Sequence, residues 1–207
     1  MTEKHGLKVL AVGAHPDDIE LGCGGTLRRH IMNGDEVVFV VASLGERDAE
    51  GGTRKVEALK SAELLGVKEV HFLNLPDTMI RHDGETVSTL DQYVQADIDI
   101  VYVHSPKDYH QDHANVAASV LSASRKWRNS IFFYETPTTT IEFRPTLYVD
   151  ITGVFDTKLD CIRQYFSQKR KEYMEEQAII GLAKYRGYSL RVDYAEAFEV
   201  GRLKLFD

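Results

Sequence analysis

The sequence predicts a doubly wound α/β sandwich, three layers deep around a mostly parallel sheet. Short apolar runs rich in Val, Ile and Phe recur along the chain, and segments of helical period separate them. The runs are apolar on both faces, as in a parallel sheet covered by helices on each side. Right-handed crossovers between successive strands then favour the doubly wound form.

The elements follow in order. LKVLAVGAH (7–15) reads as a buried strand, and 19–33 as a helix closed by Gly34. EVVFVVASLG (36–45) is a second buried strand. GGTRKVEALKSAELLG (51–66) is a helix with Val56, Leu59, Ala62 and Leu65 on one face, stopped by Gly66. KEVHFLNLP (68–76) is a third strand, 86–96 a helix, DIDIVYVHSP (97–106) a fourth strand and 114–126 a helix. SIFFYET (130–136) and TLYVDIT (146–152) give two more strands, followed by a helix over 155–168. KRKEYMEEQ (169–177) reads as a solvated helix start or loop. YAEAFEVGRLKLF (194–206) reads as a late extended segment that closes over the sheet.

Composition narrows the function. The 207 residues carry 25 Lys and Arg against 32 Asp and Glu, a net charge of −7, so a general nucleic-acid binder is not expected. Cys23 and Cys161 lie far apart with no CxxC, which argues against a disulfide scaffold or a cysteine zinc site and for two reduced thiols. No apolar run reaches the roughly 18 residues of a membrane span. The first residues show no signal-peptide pattern, so a cytoplasmic location is the default expectation. No repeat or linker divides the chain, and a single domain over 1–207 is expected.

Two clusters carry chemistry: Ala14-His15-Pro16-Asp17-Asp18 after the first strand and His110-Gln111-Asp112-His113 after the fourth. Open α/β sheets place ligands beyond the C-terminal ends of their strands. In the strand order 3-2-1-4-5 the first and fourth strands are neighbours, and both clusters then meet at one crevice. His15 and Asp18 can turn one nitrogen and one carboxylate oxygen to the same point. One histidine of the second cluster completes a His₂–carboxylate set, which suits tetrahedral zinc with its fourth position open to water, or Fe²⁺. Asp17 points elsewhere from the turn and can act as general base. The other histidine, held protonated by Asp112, can stabilise a developing oxyanion. Capping is the plainer role for Asp18 and Asp112, each at a helix start.

At these residues the sequence resembles the LmbE-like family of zinc-dependent N-deacetylases, which includes the PIG-L enzymes. AVGAHPDDIELGCGGTL is similar to the family's opening motif, and GERDAEGGTRKVEALKSAELLG to its following Arg-x-x-Glu helix. LPDTMI, DYHQDH, FYETP and YAEAF follow in the family's order. Gln111 stands where the family commonly has Pro, at a position that supplies no chemistry. The resemblance implies a Rossmann-like three-layer α/β/α sandwich. It implies His15, Asp18 and His113 as metal ligands, Asp17 as general base, and His110 paired with Asp112 near the reacting carbonyl. The implied reaction removes an N-acetyl group from an N-acetylglucosamine-type amino sugar or conjugate. The expected partner is that small molecule, with no nucleic acid and no membrane span; a homo-oligomer is left open. A broader amidase on amino-sugar conjugates, or a non-catalytic nucleotide- or sugar-binding module, are the alternatives.

Four further residues are candidates for substrate binding. Arg54 clamps a substrate oxygen or pairs at the surface with Glu57. Asp77 meets sugar hydroxyls or forms a turn. Tyr109 walls the pocket. Tyr194 aligns with a tyrosine that some relatives use against the oxyanion. Gly22, Gly24 and Gly25 do not open the turn after the first strand, as a dinucleotide fingerprint requires, and instead permit close helix–sheet packing.

Overall fold

The alternation of apolar runs and helical periods becomes an alternation of strands and helices. The computed structural model describes residues 6–47 and 51–205. The strands are β1 (Lys8–Gly13), β2 (Glu36–Val41), β3 (Glu69–Phe72), β4 (Ile100–His104), β5 (Ser130–Tyr134), β6 (Leu147–Asp150) and β7 (Ala195–Arg202). The α-helices are α1 (Asp18–Met32), α2 (Gly51–Leu65), α3 (Gly84–Asp91), α4 (Gln111–Ala123), α5 (Phe155–Ile162) and α6 (Glu176–Tyr188).

Among the described residues the strands form one sheet in the order β3-β2-β1-β4-β5-β7-β6. The first five positions realise the 3-2-1-4-5 order, with all four pairings parallel. The late extended segment becomes β7, antiparallel between β5 and β6; its last expected residue, Phe206, lies outside the described residues. Alternate strand residues serve opposite faces. Val9, Ala11, Phe39 and Tyr102 pack with Leu27, Ala62 and Cys161 of α1, α2 and α5. Leu10, Val12, Val101 and Val103 pack with Leu90, Val116 and Val120 of α3 and α4. These are the three layers, and the strand order reverses between β1 and β4. Both cysteines are free and buried. Among the described residues no helix is long and apolar enough to cross a membrane.

The structure moves several boundaries. The helix expected over 114–126 starts earlier, at Gln111, because the His110 side chain accepts the Asp112 amide and caps it. The helix expected over 155–168 stops at Ile162, and a 3-10 turn covers Phe166–Gln168. The polar tail is not simply solvated: a 3-10 turn at Glu172–Met174 leads into α6, whose Ile179, Ile180 and Ala183 pack on Phe155 and Leu159. Charged residues interrupt the apolar ones along 169–188, which hides that face in the sequence.

α1 is two helices joined at Cys23, whose φ of −145° is non-helical. The break frees backbone groups that need partners. Glu196 accepts the amides of Gly25 and Thr26, and Lys158 donates to the Leu21 carbonyl and to Glu196 at 2.6 Å. Gly22 lets this half-helix lie on the sheet: a Cβ there would fall 2.2 Å from Tyr134 Cδ2, in a ring anchored by its hydroxyl on the Val12 carbonyl. Gly22→Ala is therefore expected to destabilise the protein by about 1–3 kcal/mol despite alanine's better helix propensity, read as a lowered midpoint in thermal unfolding. An unchanged midpoint contradicts the close packing.

Candidate metal centre and active site

The two clusters leave the sheet side by side, where Val12 of β1 pairs with Val103 of β4. After β1 the chain turns sharply through Asp17, whose φ of 99° is left-handed, a strained region for a residue other than glycine. Asp17 occupies the N-cap position of α1 without a side-chain cap bond. Asp18 is the first helical residue and does not cap; its Oδ2 accepts the His15 amide at 2.7 Å across the turn. That bond ties the two candidate ligands together.

His15 turns Nδ1 toward Asp18 Oδ2 at 3.5 Å, and its Nε2 lies 3.2 Å from both Asp77 Oδ1 and Asp112 Oδ2. His113 turns Nε2 toward Asp18 Oδ1 at 3.4 Å and Nδ1 toward Asp108 Oδ2 at 3.3 Å. Asp108 is itself fixed by the hydroxyls of Thr136 and Thr139 and by the His110 amide. In each histidine one nitrogen faces Asp18 and the other is held by a carboxylate, the outer-sphere arrangement that fixes ring orientation and tautomer in metal sites.

The donors fit a divalent cation. Ligand atoms of His15, His110 and His113 lie within 4.8 Å of one another, and so do those of Asp18, His104 and His113, and those of His15, Asp77 and Asp112. The expected set of His15, Asp18 and His113 draws on the first two groups, with His113 common to both. His104 and Asp108 are additions that sequence reasoning missed. His104 is fully buried at the end of β4, 3.1 Å from Asp18 Oδ2 and 3.0 Å from the Ala14 amide, and it stacks on His113 at 4.0 Å. Burial and the His113 charge lower its pKa to about 4, so it is neutral. In the sequence it reads as one more residue of an apolar strand. Burial opposes the charge of Asp18, but the neighbouring imidazoles of His113 and His104 outweigh it and hold this carboxyl well below its usual range.

Asp17 stands beside the ligand set. Burial pushes its carboxyl up, and Asp18 adds to this, while Arg54 pulls it down. Arg54 is buried, donating to Asp17 Oδ2 at 3.2 Å, to the Pro16 carbonyl at 2.7 Å and to the Gly45 carbonyl at 3.4 Å. It is not a surface partner of Glu57, which instead accepts the Ser167 amide and hydroxyl. Tyr173 also reaches Asp17 Oδ2, at 3.3 Å. It comes from the tail expected to be solvated.

The expected pairing of Asp112 with His110 changes. Asp112 does not hold the His110 side chain. Its carboxylate accepts the Thr78 and Ile80 amides and lies against His15, because α4 starts one turn early and turns Asp112 inward. His110 Nδ1 takes the Asp112 amide at 3.2 Å, which leaves Nε2–H as its donor in the neutral ring. Burial and the His113 and His15 imidazoles lower the His110 pKa, against the protonated form expected. Asp77 is buried at the site; a hydrogen bond from His15 and one from the Arg47 amide hold it at about 2.

A cavity of about 170 Å³ is bordered by His15, Asp17, Asp18, Arg54, Asp77, His110, His113 and Tyr173. Tyr109 does not wall it: the side chain is 77% exposed, and its amide donates to the Thr138 carbonyl. Tyr194 is also absent from it, since its ring stacks on Phe155 at 3.9 Å in the apolar cluster under α6.

Residues 10–124 match the profile of the PIG-L family, GlcNAc-PI de-N-acetylase. The chain is 33% identical over 168 residues to an uncharacterized deacetylase, YaiS, of Escherichia coli K12, covering 77% of this chain and 90% of that one. It superposes on the N,N'-diacetylchitobiose deacetylase of Pyrococcus horikoshii with a TM-score of 0.82 at 26% identity, covering 93% of this chain and 83% of that one. It is also 27% identical over 184 residues to a 4-oxalmesaconate hydratase of Pseudomonas putida, covering 74% of this chain and 71% of that one.

Proposed function

The chain belongs to the PIG-L family of GlcNAc-PI de-N-acetylases, and from that premise we propose that it removes the N-acetyl group from an N-acetylglucosamine-type amino sugar or conjugate, releasing acetate and the free amine. One observation carries the reading: the nitrogens of His15 and His113 face opposite oxygens of Asp18, and buried Asp17 stands beside them, clamped through one oxygen.

His15, Asp18 and His113 would hold a divalent ion, zinc or else iron(II), which supplies Lewis-acid polarisation of the amide carbonyl and a lowered pKa for water. Arg54 and Tyr173 fix Oδ2 of Asp17, so its other oxygen takes the proton of the attacking water. His110 presents Nε2–H to the carbonyl oxygen as negative charge grows on it; a neutral imidazole serves as this donor. Asp17 then passes its proton to the departing amine. Asp77 and Asp112 keep His15 oriented, and Asp108 keeps His113 oriented. Asp77 acts through His15 and the Arg47 amide here, rather than standing free for sugar hydroxyls.

The test is an assay of N-acetylglucosamine derivatives for acetate and free amine. Equal amounts of the two products, lost with a chelator and restored by zinc, are expected. A water-adding enzyme like the hydratase relative yields neither, and a non-catalytic sugar-binding module turns nothing over. Either result overturns the reading.

A further inference from the structure

A larger cavity, of about 780 Å³, adjoins the small one at the histidines, and the two share Leu21, Pro137, Thr138 and Tyr173. We propose that this larger cavity is a subsite for an apolar aglycone carried by the amino sugar; the proposal rests on the de-N-acetylase reading above.

Size gives the first argument. At about 170 Å³ the small cavity takes the acetamido group and little else, since sites for whole small molecules run to roughly 300–1,000 Å³. The remainder of a substrate must extend outward, and the larger cavity is continuous with the site.

The walls give the second. Ala178, Ile179, Leu182 and Ala183 of α6 line the cavity together with Leu21 and Pro137. Of the four cations along it, Lys158 and Arg186 are paired within the wall, and Arg170 and Lys171 lie at the same cavity beside Glu172. Lys158 sits 2.6 Å from Glu196, and Arg186 holds Glu135 through two bonds of 2.7 and 2.6 Å. A hydrocarbon displaces water from the alkyl surface of α6.

Orientation gives the third. The cavities join at Tyr173, which touches Asp17. Asp17 must reach the amine nitrogen, so the sugar half of the substrate, and not its acetyl group, faces the larger cavity.

Calorimetric binding of methyl and hexyl β-D-glucosides tests the subsite directly, because neither carries an amide. Hexyl glucoside is expected to bind at least about tenfold tighter, the gain from burying two of its extra methylenes. Ala178→Trp, which narrows the cavity, and Leu182→Gln, which adds a polar group to its apolar wall, are each expected to reduce that preference. Both residues are exposed, so neither change threatens the core. Equal affinity for the two glucosides, or a preference that survives both variants, overturns the proposal. Acetate release from hexyl N-acetyl-β-D-glucosaminide is measured in parallel. A hexyl preference without acetate release sinks the de-N-acetylase reading and leaves the subsite standing. Acetate release with equal affinities does the reverse.

Discussion

Replacing Asp17 with asparagine is expected to lower kcat by about 10²–10⁴-fold while bound metal stays at its normal level. Asparagine keeps the shape of the side chain and can still accept from Arg54 and Tyr173. It cannot take a proton from water. The loop should survive the change, because Arg54 also donates to the Pro16 and Gly45 carbonyls and Asp18 holds the His15 amide independently. Steady-state kinetics combined with metal analysis separates the two roles open to this residue. A large fall in kcat with full metal content marks the proton acceptor. Near-normal kcat means that the base lies elsewhere, and loss of metal means that Asp17 belongs to the ligand set.

His113→Ala is expected to cost the metal itself. His113 belongs to two of the three groups of converging donors, and its Nε2 faces Asp18 while Asp108 holds its Nδ1. Removing a partner outside the ligand set commonly costs about 10–100-fold in affinity or activity. Removing a ligand from a three-donor set should exceed that range, with activity falling in step. Titration against a metal-sensitive chelator measures the affinity. Retention of wild-type affinity would exclude His113 from the set.

The sequence made the scaffold legible because both-face apolar strands and intervening helices encode a parallel sheet. The 3-2-1-4-5 order then placed His15 and His113 at the same crevice although ninety-eight positions separate them. Less legible was everything that depends on which way a side chain turns after the backbone is set. Asp112 looked like the holder of His110, yet an earlier start of α4 sends it to His15 and to two backbone amides. Tyr194 sits in a family-like motif, but its ring is taken by Phe155, and Tyr173 from an unpromising charged stretch touches Asp17 instead. His104 was hidden by its strand, since one polar residue at the end of an apolar run gives no periodic signal. Asp108 was in view within DYHQDH but carried no distinct spacing of its own. Its function appears only when Thr136 and Thr139 of the loop after β5 arrive to fix it.

The measurement that bears most directly on this account is anomalous diffraction at the zinc absorption edge from crystals grown with zinc. One peak is expected, within bonding distance of His15, Asp18 and His113, with Asp17 beside it but outside the coordination sphere. A peak bound instead by His104 in place of His15, or no peak at this crevice, contradicts the arrangement on which the proposed chemistry stands.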